Sequence, residues 1–317
     1  MPGTIRLPIL ALSIAVSSVL GATYHNAEHI VGAGFYNSFN FEAIGDPTHG
    51  RVNYVDEATA RGANLTFNSD KTFVLRADHT TVLNPAGAGR NSVRLISKNA
   101  YTTHVSVFDV AHMPQGCGTW PALWETNEAL WPAGGEVDIL EGVNDQGTNQ
   151  ATLHTSPGCT VPASRSMSGT PLQLDCDTNV AGNAGCGVKF AQGTSYGPTF
   201  NANGGGWYAM ERTNAFISVW FWSREDPTVP ADVKAGGSSV DTDSWGTPSA
   251  TFPNTSCDIE SHFAPNNIII NLTFCGDWAG AVYPQSGCPS TCNDFVNNNP
   301  AAFADAFFQF NAINVYN

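Results

Sequence analysis

The chain has 317 residues and a formal net charge of −14, yet charged side chains make up only 13% of it and hydrophobic ones 42%. An acidic, sparsely charged surface excludes the basic footprint of a nucleic-acid binder and disfavours anionic membrane surfaces, leaving a neutral polymer as a compatible partner. Eight cysteines lie between Cys117 and Cys292; an even set favours disulfides in an oxidising compartment, and Cys288 and Cys292 lack the second Cys or His pair that a zinc site needs.

The elements follow in chain order. Residues 1–22 read as a secretory signal: Arg6 supplies the positive charge, Leu7 to Leu20 an apolar run, and Val19-Leu20-Gly21 a cleavage region. The run is short for a membrane span, so the mature protein, 23–317, is expected outside the cell as a single domain. Strand-like runs with β-branched or aromatic content follow between Gly, Asn and Pro punctuation. They are Asn91–Ile96, His104–Val110, Glu136–Val143, Ala151–Thr155, Trp207–Arg212, Phe216–Trp222 and Ile268–Phe274. The stretch Cys159–Asn203 reads as loops stapled over one edge or face. One short helix is predicted at Pro300–Phe307, with Asn299 as N-cap. The C-terminal run from Phe307 to Tyr316 is strand-like, which argues against a lipid-anchor tail. Two stacked antiparallel sheets are the expected architecture. Sequons begin at Asn64, Asn254 and Asn271, the last inside an apolar strand and the least accessible.

The most informative run is Gly135-Glu136-Val137-Asp138-Ile139-Leu140-Glu141-Gly142. Strand interiors disfavour Asp and Glu, and crowded buried carboxylates are costly, so a solvated charge face is a poor account of this run. Alternation puts Glu136 and Asp138 on one face and Glu141 on the other. A one-residue bulge would turn Glu141 back, and three carboxylates lining one cleft suit glycoside hydrolysis. Around them stand candidate sugar platforms, since a pyranose ring lies flat on an indole: Trp124, Trp131, Trp278 and Trp120, the last equally readable as core. His154, on the next strand, could orient a catalytic carboxylate; Arg94 could reach a sugar hydroxyl or neutralise acidic charge.

Glu136-Val137-Asp138-Ile139-Leu140-Glu141 resembles the bulged, laminarinase-type signature of glycoside hydrolase family 16. Asp46-Pro47-Thr48-His49-Gly50, Gly118-Thr119-Trp120-Pro121-Ala122-Leu123-Trp124, Thr152-Leu153-His154-Thr155 and Gly276-Asp277-Trp278 match in order. The chain looks closest to secreted fungal endo-β-1,3(4)-glucanases. The resemblance implies an all-β jelly-roll sandwich of the concanavalin A-like type with a concave cleft, acting as a monomer on β-glucan. It also implies a retaining double displacement with Glu136 as nucleophile, Glu141 as acid/base and Asp138 between them. No redox or organic cofactor and no catalytic metal is implied; some relatives carry a structural calcium, whose ligands the sequence does not place. A cell-wall transglycosylase on the same motif and a non-catalytic glucan-binding lectin are the alternatives.

Overall fold

The structure is a computed structural model and describes residues 22–317. The expected signal segment, but for its last residue, lies outside the described residues. Alternating apolar residues assemble two stacked antiparallel sheets, a β-jelly-roll sandwich. One sheet has nine strands and includes Thr23–Ile30, His104–His112, Gly206–Arg212, Phe216–Ser223 and Phe307–Tyr316. The other has eight strands. In spatial order its central members are Gln150–His154, Glu136–Glu141, Thr119–Thr126, Asn266–Phe274 and Arg94–Tyr101.

The core lies between the sheets. Leu123, Val137, Ile139, Leu140, Ile268 and Ile270 from the eight-stranded sheet join one apolar cluster with Phe108, Tyr208, Met210, Val219, Phe310 and Ile313 from the other. Because side chains alternate, the intervening residues of the eight-stranded sheet point away from this core into the cleft. A separate cluster containing Trp207, Trp220, Trp222 and Trp245 packs on the nine-stranded sheet, which makes those four tryptophans structural.

The expected strands are present, with local differences. Asn91–Ile96 is broken at the buried Val93: Arg90–Ser92 pairs in parallel with Val52–Tyr54, and Arg94–Tyr101 joins the cleft sheet. The acidic strand ends at Glu141, short of Val143, because the chain turns through Asn144 and Asp145 at positive φ. The helix expected at Pro300–Phe307 is only a single 3-10 turn, Pro300–Phe303. Asn299 makes no side-chain cap there, and Phe307 opens the strand that pairs with Phe73–Arg76. The true helix precedes it at Cys292–Asn298, where the Thr291 side chain accepts from Asp294 N–H.

The cysteines pair as Cys117–Cys288, Cys159–Cys257, Cys176–Cys186 and Cys275–Cys292. Two of these staple the Cys159–Asn203 excursion, which also adds the short strands Thr170–Pro171 and Val188–Lys189 to the cleft sheet. No helix among the described residues is long and apolar enough to cross a membrane.

Candidate active site

The acidic strand is built to present carboxylates. Gly135 and Gly142 flank it for steric reasons. At Gly135, φ is +70° and a Cβ would come within 2.3 Å of the Phe263 ring; at Gly142 a Cβ would come within 2.6 Å of the Tyr196 ring. Glu136 and Asp138 pair with His154 and Thr152 on one side, and with Thr126 and Trp124 on the other. The register against Thr119–Thr126 then slips between Asp138 and Leu140. Ile139 is the extra residue of a β-bulge, so Ile139 and Leu140 both enter the core and Glu141 returns to the face of Glu136 and Asp138. The bulge expected from the spacing is where the motif needs it.

Each carboxylate has its own surroundings. Glu136 Oε2 accepts from Trp131 Nε1–H at 2.7 Å, and its Oε1 lies 3.9 Å from His154 Nε2. Asp138, 2% exposed, sits 3.3 Å from the same nitrogen. Glu141 Oε1 accepts from Trp120 Nε1–H at 2.8 Å. On its far side His154 Nδ1 is 2.9 Å from Asn183 Oδ1. An amide oxygen can only accept, so that bond places a proton on Nδ1, and Nε2 needs a second one to donate toward Asp138.

The electrostatics follow from this crowding. Burial, reinforced by the Asp138 charge, pushes Glu136 up to about 7, while His154 and the Trp131 N–H pull the other way. Burial and then Asp138 also hold Glu141 well above the usual carboxylate range, opposed by the Trp120 N–H. Burial alone would discharge His154, but its bond to Asp138 and the fields of Glu136, Asp138 and Glu141 push it up to about 10. The cluster therefore combines an imidazolium with carboxylates that share protons.

The remaining candidates divide by exposure. Trp131 is 45% exposed at the rim. Trp124 is half-buried, its Nε1–H donating to Asn271 Oδ1 at 2.7 Å, with the Arg94 guanidinium 5.0 Å from its ring. Arg94 itself is buried, bonded through Nε to Glu42 at 2.8 Å and through Nη2 to Glu128. Buried between two carboxylates and against the Trp124 ring, the guanidinium has the charge-neutralising arrangement, one of its two readings. Trp120 and Trp278 meet edge to face, with ring centroids 5.6 Å apart. Trp278 rides on the π-helical turn Gly276–Gly280 and, with Glu141, Gln146, Gln150, Lys189 and Gln285, lines a groove of about 370 Å³ on the Glu141 side.

Among the described residues, Glu136, Asp138 and His154 form the grouping able to share a cation, with ligand atoms within 4.8 Å of one another. Two carboxylates and an imidazole do not fit calcium, which takes roughly six to eight oxygen ligands, and a charged His154 repels a cation.

A family profile described as "XgeA-like, catalytic GH16 domain" matches residues 39–316. The chain belongs to glycoside hydrolase family 16. An Aspergillus fumigatus protein named as a probable endo-1,3(4)-beta-glucanase is 42% identical over 99% of this chain and 48% of its own length. The family 16 chain described here thus spans about half the length of that relative. Among solved structures, family 16 laminarinase 16A from Phanerochaete chrysosporium, with 6-O-glucosyl-laminaritriose in donor and acceptor sites, is 61% identical with a TM-score of 0.93. The match covers 93% of this chain and all of that one. An elongating family 16 β-1,3-glucosyltransferase is 39% identical with a TM-score of 0.87, over the same shares.

Sequence reasoning missed the groups that hold this family 16 site in place: Asn183 on His154, Asn271 and Glu128 around Trp124 and Arg94, and Asn149 beneath Glu141. The polar, buried Asn271 inside an apolar strand was a signal that could have been followed. Asn149 and Asn183 lie in turn-rich sequence where asparagine is ordinary.

Proposed function

We propose that this chain is a retaining endo-β-1,3(4)-glucan hydrolase. The observation that carries the reading is the bulge that brings Glu136, Asp138 and Glu141 to one face. In the first step Glu136 attacks the anomeric carbon while Glu141 gives its proton to the departing glycosidic oxygen, leaving a glycosyl ester on Glu136. In the second, Glu141 as carboxylate takes a proton from water, which attacks the same carbon and releases Glu136 with net retention. The surroundings support this division. The imidazolium 3.9 Å away and the Trp131 N–H both favour anionic Glu136. Burial, Asp138 and the Glu136 charge favour protonated Glu141; esterification removes the Glu136 charge, which eases Glu141 toward the carboxylate that the second step needs. Asp138 and His154 hold the charge balance without entering a covalent step. Trp131 and Trp124 fit the donor side of the cleft, and Trp278 the leaving-group side.

The likeness to laminarinase 16A at 61% identity and to the probable Aspergillus endoglucanase supports β-glucan as the polymer. Four disulfides and a signal-like leader support an extracellular location. The test is product analysis on laminarin and on mixed-linkage β-glucan, comparing wild type with Glu136→Gln and Glu141→Gln. Short oligosaccharides from the wild type and none from Glu136→Gln are expected; intact polymers with every protein would overturn the reading.

A second reading, glucosyl transfer to sugar, is favoured by one specific observation. The 370 Å³ groove beside Glu141, where Gln146, Gln150 and Gln285 stand among the apolar Trp278, Leu172 and Val282, has room for an acceptor sugar, and the elongating glucosyltransferase shares the fold at 39% identity. Products longer than the starting oligosaccharide would show it.

A further inference from the structure

Beyond Asp138 the acidic strand loses its neighbour on the His154 side, while on the other side Leu140 and Glu141 pair with Leu123 and Ala122. Its pairing with Gln150–His154 ends at Asp138–Thr152, and the bulge interrupts its pairing with Thr119–Thr126 one residue later. The Ile139 carbonyl and Glu141 N–H are therefore handed to a side chain. Asn149 Oδ1 accepts from Glu141 N–H at 2.9 Å, and Asn149 Nδ2 donates to Ile139 O at 2.8 Å. One carboxamide thus completes a ladder rung in place of a strand backbone. Asn149 is fully buried, and its own backbone is fixed on both sides. Its N–H donates to Ser195 Oγ at 3.0 Å, and its carbonyl accepts from Phe190 N–H at 2.9 Å. Only a side chain with donor and acceptor on one short planar group fits: Asp cannot donate, Gln is a methylene longer, and Ala leaves two backbone groups unpaired.

We propose that the Asn149 carboxamide is the positioning group of the bulge, fixing the backbone at Ile139 and so aiming Glu141 at the leaving oxygen while leaving Glu136 untouched. The division follows from location. Glu136 and Asp138 lie in the regularly paired part of the strand, held by His154, Thr152, Thr126 and Trp124, whereas Glu141 lies past the bulge. The proposal rests on the reading of Glu141 as acid/base.

The experiment compares Asn149→Ala and Asn149→Asp with wild type and with Glu141→Gln. It uses two substrates: laminarin, and a laminaribioside with a 2,4-dinitrophenol leaving group that departs without protonation. General acid catalysis contributes about 10²–10⁴-fold. Both Asn149 variants are expected to lose about 10²-fold in kcat/KM on laminarin but no more than about threefold on the activated glycoside. Azide, which attacks without a base, should restore turnover and give a glycosyl azide. Equal losses on both substrates, or no loss on laminarin, would overturn the proposal. If Glu141→Gln itself shows no leaving-group split, the reading of Glu141 fails and takes the clamp with it; a split in Glu141→Gln alone overturns only the clamp. Melting curves accompany each variant. Asn149→Asp keeps the volume and one of the two bonds, so failure of both variants to fold would make Asn149 a keystone of the sheet and refute the specific role.

Discussion

The hydrogen bond from Trp120 to Glu141 allows the acid/base group to be retuned without touching any carboxylate. Trp120 Nε1–H donates to Glu141 Oε1 at 2.8 Å, which favours the anion and restrains a pKa that burial and Asp138 push upward. Trp120→Phe removes the donor and keeps an aromatic ring beside Trp278, which it meets edge to face with ring centroids 5.6 Å apart. Hydrogen bonds to charged groups contribute about 1.5–3 kcal/mol, and one pKa unit corresponds to about 1.4 kcal/mol. The variant should therefore raise Glu141 by about one to two units. In a pH profile of kcat/KM on laminarin, the alkaline limb, where the general acid loses its proton, should move to higher pH by that amount. The acidic limb, set by the nucleophile, should stay in place. An alkaline limb that stays put or moves down, in a variant melting like wild type, would refute the claim that this indole biases Glu141 toward its anion.

Asp138→Asn removes the charge that raises both Glu136 and Glu141; both limbs of the profile should move to lower pH, and NMR should find His154 titrating below about 10. Stability should fall as pH rises from about 4.5 to 7, because Glu136 holds its proton in the folded state to about 7 but loses it near 4.5 when unfolded. The unfolded chain binds fewer protons over that window, so the slope is negative and amounts to about 3 kcal/mol; Glu136→Gln should flatten the dependence of melting temperature on pH there. Arg94→Met strands Glu42 and Glu128 beside each other, so a loss of about 3–5 kcal/mol is expected in denaturant melts, with a raised KM as Trp124 loses its support. Peptide mass mapping of secreted protein should find Asn271 bare, since both ends of its buried amide are bonded to Trp124 and Tyr54, while Asn64 and Asn254 are exposed.

The sheets and the carboxylate cluster were legible because they rest on periodicity and on the cost of crowding charge. Val137, Leu123 and Ile270 repeat the two-residue period, and three acids in a hydrophobic strand have few stable arrangements. The strand break at Val93 was not legible, because it depends on a parallel partner, Val52–Tyr54, far away in sequence. Neutralisation of acidic charge was one of the two readings of Arg94, but its partners were not legible: Glu42 and Glu128 come from separate segments and meet only in the fold. The Pro300–Phe307 helix failed because Phe307 was needed as a strand residue, a tertiary demand that outweighs a local N-cap pattern.

Two indoles, Trp131 and Trp120, each touch a different titrating carboxyl group, Glu136 and Glu141 respectively. Each indole's emission should respond to the protonation of the carboxyl it contacts. With Trp131 or Trp120 individually replaced by Phe, the remaining fluorescence titration separates the two carboxyls optically, in the intact protein and without substrate. The site thus carries a pair of built-in spectroscopic probes, one on each partner of the displacement, that could follow in real time which carboxyl holds the proton as a glycosyl ester forms and breaks down.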